Sequence, residues 1–121
     1  MEITDSDRTA IRFVIEQQLH AFQHDNADQA FAFASPAIQA QFRNPQTFMR
    51  MVKSGYAPVY RPRSVIFEGI TTIEGNITQI LLLLSPNGKP VRGLYLMEKQ
   101  ANQTWKINGC VLIPVDADIF D

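Results

Sequence analysis

Two glutamates inside predicted strands are the candidates for acid-base chemistry in this chain. Glu68 stands between Phe67 and Gly69, and Glu98 lies near the tip of a predicted hairpin. A carboxylate acts as a general base only where it reaches the substrate. Glu68 is the better candidate, with a surface carboxylate on an edge strand as the alternative. For Glu98 we expect a solvated ion pair, because Lys99 stands beside it and Lys106 is expected on the opposite strand.

Residues for metal binding or nucleophilic catalysis are sparse. His20 and His24 have the spacing of a metal-binding pair on a helix, but the sequence indicates no third ligand. We expect one histidine to pack beside Leu19 and the other to cap the helix end. Cys110 falls among apolar strand residues, which indicates a core residue rather than a reactive thiol. No glycine-rich phosphate loop and no Gly-x-Ser-x-Gly motif occurs, so we predict no metal and no cofactor.

The charges are unevenly distributed along a chain whose formal net charge is only -1. No acidic residue lies between Asp28 and Glu68, whereas segment 43–63 contains Arg43, Arg50, Lys53, Arg61 and Arg63. With Tyr56 and Tyr60 at its edge, this basic segment could bind an anionic ligand or a partner. Alternatively, its cations pair with the chain's own acidic segments, including the tail residues Asp116, Asp118 and Asp121. The net charge and the lack of a recognition motif argue against nucleic acid.

The length of 121 residues fits a single domain, 1–121. Such a chain can bury roughly two-thirds of the surface that its unfolded form exposes. The first residues are acidic and polar, whereas a secretion signal needs a basic start and an apolar run. No apolar stretch is long enough to span a membrane. We therefore expect a cytoplasmic protein without membrane contact.

The N-terminal half has helical periodicity. Apolar residues recur at helical spacing from position 11 to 22 and predict an amphipathic helix that ends near His24. A capping side chain stands directly before a proline at two places, Ser35 and Asn44. This arrangement favours a helix start, so we predict two short helices, about 36–43 and 45–54.

The C-terminal half has strand-like patterns, after a connector, 56–63, that two prolines should keep extended. Apolar stretches separated by turn residues predict four antiparallel strands in a meander. The apolar residues of the last strand all fall at odd positions, so an unbulged strand would place them on one face: Trp105, Ile107, Val111, Ile113 and Val115. The predicted fold is α+β, with N-terminal helices packed on one face of a curved four-stranded antiparallel sheet.

Three stretches carry a resemblance to a known family: Phe33–Gln39, Gly55–Pro62 and Trp105–Leu112. They resemble an uncharacterised bacterial family, domain of unknown function 4864. The order of helices, proline-containing connector and meander resembles the nuclear transport factor 2-like superfamily, also called cystatin-like or SnoaL-like. The superfamily resemblance implies a cone-shaped sheet around a pocket and frequent dimerisation. It also implies functions that range from isomerases and dehydratases to non-catalytic binding modules.

We therefore predict a non-catalytic module that binds a small ligand or a partner through an interior pocket. The residues expected to contact the ligand are Tyr56, Tyr60, Arg61, Arg63 and Tyr95. The alternative implied by the resemblance is an isomerase or dehydratase, with a strand glutamate as base and Tyr60 or Tyr95 as hydrogen-bond donor. A third hypothesis is that the basic segment binds an anion or a protein.

The predicted partner is a second copy of this chain. A sheet covered by helices on one side should alternate apolar and polar residues. The second strand does not, because apolar residues fall on both faces: Ile80, Leu82 and Leu84 on one, Leu81 and Leu83 on the other. Fully burying a leucine contributes roughly 1.5 to 3 kcal/mol, so we expect a homodimer to cover the second apolar face. A strongly curved sheet that buries both faces within one chain is the alternative.

Overall fold

The computed structural model describes residues 2–115, which form helices followed by a sheet. The helices are α1 (Asp5–Gln23), α2 (Ala27–Ala32), α3 (Pro36–Phe42), α4 (Pro45–Gly55) and α5 (Ala57–Tyr60). The strands are β1 (Ser64–Ile73), β2 (Asn76–Leu84), β3 (Pro90–Lys99) and β4 (Trp105–Pro114). They pair in the order β1-β2-β3-β4, with every pair antiparallel. The predicted α+β fold with N-terminal helices and a four-stranded antiparallel sheet is confirmed.

The helix starts follow from local side-chain chemistry. At α1, the Thr4 hydroxyl accepts a hydrogen bond from the Asp7 amide, and the Asp7 carboxylate accepts one from the Thr4 amide. Ser35 and Asn44 cap α3 and α4 directly before the prolines that open these helices. Both predicted short helices are therefore confirmed, and each ends within one residue of the predicted position.

The connector after α4 contains the one-turn helix α5 and is not extended throughout. Pro58 lies in the first turn of α5, where a helix loses no hydrogen bond by lacking an amide proton. The Tyr60 amide donates to the Tyr56 carbonyl and closes the turn. The prediction of an extended connector was therefore wrong for these residues.

The core lies between the helices and one face of the sheet, called the inner face below. Its fully buried members include Ile11, Ile15 and Phe22 from α1. Leu81 and Leu83 of β2 meet them from the sheet and have no exposed surface. These two leucines are thus the covered apolar set of β2.

Asp7 joins the start of α1 to the hairpin between β3 and β4. Its carboxylate accepts a hydrogen bond of 3.3 Å from Trp105 Nε1 and one of 3.2 Å from Lys99 Nζ. The Thr4 backbone amide, together with these side-chain donors, lowers the pKa of Asp7 from 3.8 to about 2. The ionised carboxylate therefore fixes the helix on the sheet.

A β-bulge in β4 changes which residues face the core. Leu96 pairs with Gly109, and Met97 pairs with Ile107, so Asn108 is the extra residue. Side chains alternate between the two faces of a strand, so an extra residue moves all following side chains to the opposite face.

The prediction that the odd-numbered residues of the last strand share one face is therefore wrong beyond the bulge. Val111 and Ile113 are 48% and 46% exposed, whereas Cys110 and Leu112 pack against the core. Val115 follows the end of β4. The prediction assumed a strand without a bulge, and this assumption does not hold.

The face of the sheet turned away from the core, called the outer face, is largely apolar. Its apolar side chains are Ile66, Ile80, Leu82, Leu84, Leu94, Leu96, Val111 and Ile113. None of them belongs to the core cluster, and Ile66 is 56% exposed. Within residues 2–115, three of these eight side chains are exposed and the other five are half-buried. The choice between a dimer and burial of both faces within one chain stays a prediction.

Candidate functional site

A cavity of about 440 Å³ lies mainly between the inner face of the sheet and the helices, and at β4, the last strand of the sheet, its lining also includes Leu96 and Val111 of the outer face. Its walls are mainly apolar and aromatic, with Phe22 from α1, Phe48 and Val52 from α4, and Ile107 from β4. None of the lining residues within 2–115 is charged. Sites for small molecules typically have volumes of about 300–1,000 Å³ and predominantly apolar walls. The cavity is therefore the candidate functional site.

The bulged part of β4 forms one wall of the cavity. Before the bulge, segment 33–35 runs beside β4, where the Ser35 amide donates to the Ile107 carbonyl and the Ile107 amide to the Phe33 carbonyl. The Ser35 hydroxyl donates to Asn108 Oδ1 at 2.6 Å and holds the bulge. Beyond it, Cys110 lines the cavity. Ala34 and Ile107, which pair where this segment meets β4, also line the cavity.

Helix α3 covers the cavity without being buried itself. It contributes Ile38, Gln41 and Phe42 to the lining, although none of its residues is buried. The residue after it, Arg43, has a φ of 73°, which residues other than glycine rarely adopt. Gln41 and Val111 are the exposed members of the lining. The opening therefore lies between the end of α3 and β4.

The Tyr95 hydroxyl is the unusual polar group of the cavity wall. It is buried, and within the described residues it has no hydrogen-bond partner of acceptable geometry. The Tyr56 hydroxyl, by contrast, donates to the Cys110 carbonyl at 3.1 Å, and Gln18 Nε2 donates to the Ala30 carbonyl at 3.1 Å. Buried polar groups nearly always have partners, so an orphan hydroxyl requires an explanation.

Burial keeps the titratable groups of the wall protonated. It raises the pKa of Tyr95 well above its usual range, and it raises the pKa of the Cys110 thiol to about 12. Burial also raises the pKa of Tyr56. The Cys110 thiol is therefore not the thiolate that nucleophilic chemistry requires. The hydroxyl and thiol groups of these lining residues are therefore uncharged.

The five residues predicted to contact a ligand do not lie together. Tyr56 and Tyr95 line the cavity, whereas Tyr60, Arg61 and Arg63 do not. The structure thus brings the two tyrosines together from α4–α5 and β3, which are distant in sequence, and separates them from the basic residues.

Tyr60 and Arg61 instead belong to a surface cluster centred on Asp25. The Asp25 carboxylate accepts hydrogen bonds from the Tyr60 hydroxyl and, at 3.1 Å, from Arg61 Nη2, and Lys53 Nζ lies 3.6 Å away. The Tyr60 hydrogen bond is the main cause of a lowered pKa of Asp25, and the two cations add to it. The alternative of internal pairing therefore holds for Lys53 and Arg61.

The other cations of the basic segment are Arg43, Arg50 and Arg63. They are exposed, and within residues 2–115 they form no ion pair. The acidic tail proposed as an internal partner, Asp116, Asp118 and Asp121, lies outside the described residues. Binding of an anion or a protein through these three arginines stays a prediction.

Neither candidate base lines the cavity. Glu68 lies on the outer face, where Arg92 donates to its carboxylate oxygens at 2.7 and 3.2 Å and lowers its pKa. Glu98 accepts a hydrogen bond of 2.9 Å from Gln100. It does pair in register with Lys106, but the Lys106 ammonium donates to a backbone carbonyl of α2. Lys99, the other candidate, pairs with Asp7, so within residues 2–115 the predicted ion pair of Glu98 with a neighbouring lysine was wrong.

The two histidines stack on each other at the end of α1. The ring centroids of His20 and His24 are 4.2 Å apart, and His24 is the C-cap residue, as expected for one of the pair. Among the residues that the structure describes, no group of three or more His, Cys, Asp or Glu side chains is arranged to hold a metal ion.

Sequence reasoning missed Gln18, the buried polar residue that α1 contributes to the lining. A signal for it exists, because Ile15, Gln18 and Phe22 follow one another at spacings of three and four and so share the apolar face of the helix. A glutamine in that row indicates a buried amide that needs a partner, and Ala30 supplies it.

Residues 4–119 match the family model described as a domain of unknown function, DUF4864. The chain belongs to the DUF4864 family. The predicted family is thereby confirmed, while membership of the nuclear transport factor 2-like superfamily stays a prediction. No curated protein and no solved structure matched this DUF4864 chain. Within its described residues, no helix has the length and apolar character needed to cross a membrane.

Proposed function

We propose that this DUF4864 protein is a non-catalytic module that binds a small, mainly apolar molecule in its cavity. The observation that supports the proposal is the buried Tyr95 hydroxyl, which lies in a mainly apolar wall and has no well-aligned hydrogen-bond partner among residues 2–115. Leaving a buried hydroxyl without a hydrogen bond costs about 1–3 kcal/mol. A cavity wall that served packing alone would be more stable with phenylalanine at this position.

The lining supports binding better than it supports the isomerase or dehydratase alternative. Proton abstraction requires a base within hydrogen-bond reach of the substrate, and among the described residues no carboxylate lines the cavity. Glu68 is held by Arg92 on the outer face. The layered arrangement of helices over an antiparallel meander, with a cavity between them, also supports our assignment of the fold to the nuclear transport factor 2-like superfamily.

Binding of the neutral dye Nile red, whose fluorescence rises in apolar surroundings, tests the proposal. Val111 lines the cavity opening, whereas Ile113 does not, and the two are 48% and 46% exposed on the same face of β4. They therefore form a matched pair. We expect one saturable site per chain, with Val111→Trp weakening binding about 10-fold or more, equivalent to roughly 1.4 kcal/mol. Ile113→Trp should bind like the wild type.

Equal effects of the two tryptophan variants would contradict the proposal, because they would place the dye on the outer face and not in the cavity. Absence of saturable binding to the folded wild-type protein would contradict it as well. Circular dichroism of both variants serves as the folding control.

We further propose that two copies of the chain associate through the outer face. Its apolar side chains lie outside the core, and such contiguous patches typically mark interfaces. Glu68 and Arg92 place one anion and one cation on this face, with their side chains 31% and 45% exposed. A face that carries both signs is complementary to itself under two-fold symmetry, which favours a second copy over a strongly charged partner.

Light scattering coupled to size-exclusion chromatography tests the dimer. Leu82 lies on the outer face, while its neighbour Leu81 lies on the inner face with no exposed surface. We expect the wild type at twice 13.7 kDa, a folded monomer for Leu82→Arg, and loss of folding for Leu81→Arg. A wild-type peak at 13.7 kDa at micromolar concentration would rule out a stable dimer.

A further inference from the structure

The charge of the cavity wall restricts what can bind there. No charged residue lines the cavity within the described part of the chain. An ion that enters such a cavity loses its hydration shell without gaining a counter-ion. The free-energy cost of this desolvation is large in an apolar environment. The bound form of the ligand is therefore uncharged.

The unused polar groups of the wall restrict the ligand further. The hydroxyl of Tyr56 and the side-chain amide of Gln18 already donate to backbone carbonyls. The Tyr95 hydroxyl remains, since it has no well-aligned partner within the described residues. The Cys110 thiol lies beside it. Burial raises the pKa of both groups, and their interaction raises the pKa of Tyr95 further and lowers that of Cys110. Both groups carry a proton to donate. The complementary ligand group is an acceptor, and a carbonyl oxygen has two lone pairs for these two donors.

The apolar part of the wall favours a flat ligand. Phe22 and Phe42 flank Phe48, with ring centroids 6.2 and 5.6 Å from it, and all three line the cavity. Aromatic rings pack favourably against one another in offset or edge-to-face arrangements. An aromatic body therefore suits this wall.

We propose that the cavity selects uncharged carbonyl compounds with an aromatic body, whose carbonyl oxygen accepts a hydrogen bond from the Tyr95 hydroxyl. This inference rests on the proposed function and names the ligand class of the same site. The carbonyl lies at the β3–β4 wall beside Tyr95 and Cys110, and the ring lies against the three phenylalanines.

Three naphthalenes substituted at the same ring carbon test the ligand class: acetylnaphthalene, ethylnaphthalene and naphthoate. The three compounds have similar shapes. Acetylnaphthalene carries a neutral hydrogen-bond acceptor, ethylnaphthalene has no polar group, and naphthoate carries a negative charge. Calorimetric titration of the full chain at neutral pH should show acetylnaphthalene binding about 10-fold more tightly than ethylnaphthalene, as one buried hydrogen bond provides. Naphthoate should bind most weakly. In Tyr95→Phe, the difference between the acetyl and ethyl compounds should vanish while the affinity for ethylnaphthalene is retained.

The possible failures separate the ligand class from the proposed function. Equal affinities of the acetyl and ethyl compounds for the wild type would overturn the carbonyl preference and leave apolar binding intact. Tightest binding of naphthoate would overturn the requirement for an uncharged ligand. No binding of any of the three to the folded wild type would overturn both proposals. If Tyr95→Phe does not fold, the comparison of the three compounds on the wild type still decides the ligand class.

Discussion

Two tyrosines in the same cavity provide a pair of exchanges with opposite expected effects. Tyr95→Phe and Tyr56→Phe each remove one phenolic oxygen from the lining and leave the ring in place. The Tyr95 hydroxyl has no partner within the described residues, whereas the Tyr56 hydroxyl donates to the Cys110 carbonyl at 3.1 Å. We expect the ligand-free protein to become more stable with Tyr95→Phe and less stable with Tyr56→Phe.

The magnitudes follow from the burial and the hydrogen bond of each hydroxyl. Removing the buried, unsatisfied hydroxyl of Tyr95 should recover about 1–2 kcal/mol of the desolvation cost, and removing the bonded hydroxyl of Tyr56 should lose about 1 kcal/mol. Unfolding entropy is about 2.1 cal/mol/K per residue, so for a chain of 121 residues each kcal/mol shifts the melting temperature by about 4 °C. Tyr95→Phe should therefore melt about 4–8 °C higher and Tyr56→Phe about 4 °C lower than the wild type.

Calorimetric melting of protein refolded from denaturant, which removes copurified ligands, measures both shifts. Urea unfolding at 25 °C provides an independent free energy of unfolding. A lower melting temperature for Tyr95→Phe would refute the reasoning, because it would show that the hydroxyl already has a partner. The main support for a ligand in the cavity would then be lost.

Two further predictions concern charges outside the cavity. The folded pKa of Asp7, about 2, lies below its ordinary 3.8, so its ionised form stabilises the protein above about pH 4, and this contribution disappears as the pH falls towards 2. Urea unfolding should show a lower free energy of unfolding for Asp7→Asn than for the wild type at neutral pH, and nearly equal values near pH 2. A difference in this free energy that stays constant with pH would contradict the role of the charge. Arg61 is already paired with Asp25, so Arg61→Ala and the wild type should show the same difference between sulfate and chloride at matched ionic strength. A specific melting-temperature rise in sulfate that Arg61→Ala abolishes would instead show that Arg61 binds external anions.

The helix starts could be predicted because their cause is local. A capping side chain followed by proline determines a helix start within two adjacent residues, and α3 and α4 begin where Ser35 and Asn44 indicate. The same local logic failed at α5, because proline favours the first turn of a helix as well as an extended chain. In the helical turn, Val59 is buried in the core, a contact that the local sequence does not reveal.

The bulges in the sheet have no comparable local signal. Asn108 becomes the extra residue of β4 through its pairing with β3 and through the hydrogen bond from Ser35, which is 73 residues away in sequence. The alternation of apolar and polar residues therefore does not reveal a bulge that depends on such distant partners. For this reason, the predicted faces of the last strand were right up to Ile107 and wrong after it.

The candidate site could be predicted only in part, for a related reason. Tyr56 and Tyr95 were expected to contact a ligand, and both line the cavity. Arg61 and Arg63 were also expected to contact a ligand. Arg61 instead pairs with Asp25, which lies 36 residues earlier, and the sequence does not show that the two are close in space. Charge partners and cavity neighbours both depend on long-range contacts.

The long-range hydrogen bonds between the N-terminal half and β4 constrain the order in which the protein can fold. The three hairpins of the sheet join neighbouring segments, so they close short loops. The hydrogen bonds from Ser35 to Asn108 and from Trp105 to Asp7, however, join residues 73 and 98 positions apart. During synthesis, the helices emerge before the strands that they cover, and α1 has no tryptophan to bind until β4 has been made. The apolar faces of the N-terminal helices therefore stay exposed to water until the strands have been synthesised. During this time, chaperones or another chain can bind these faces.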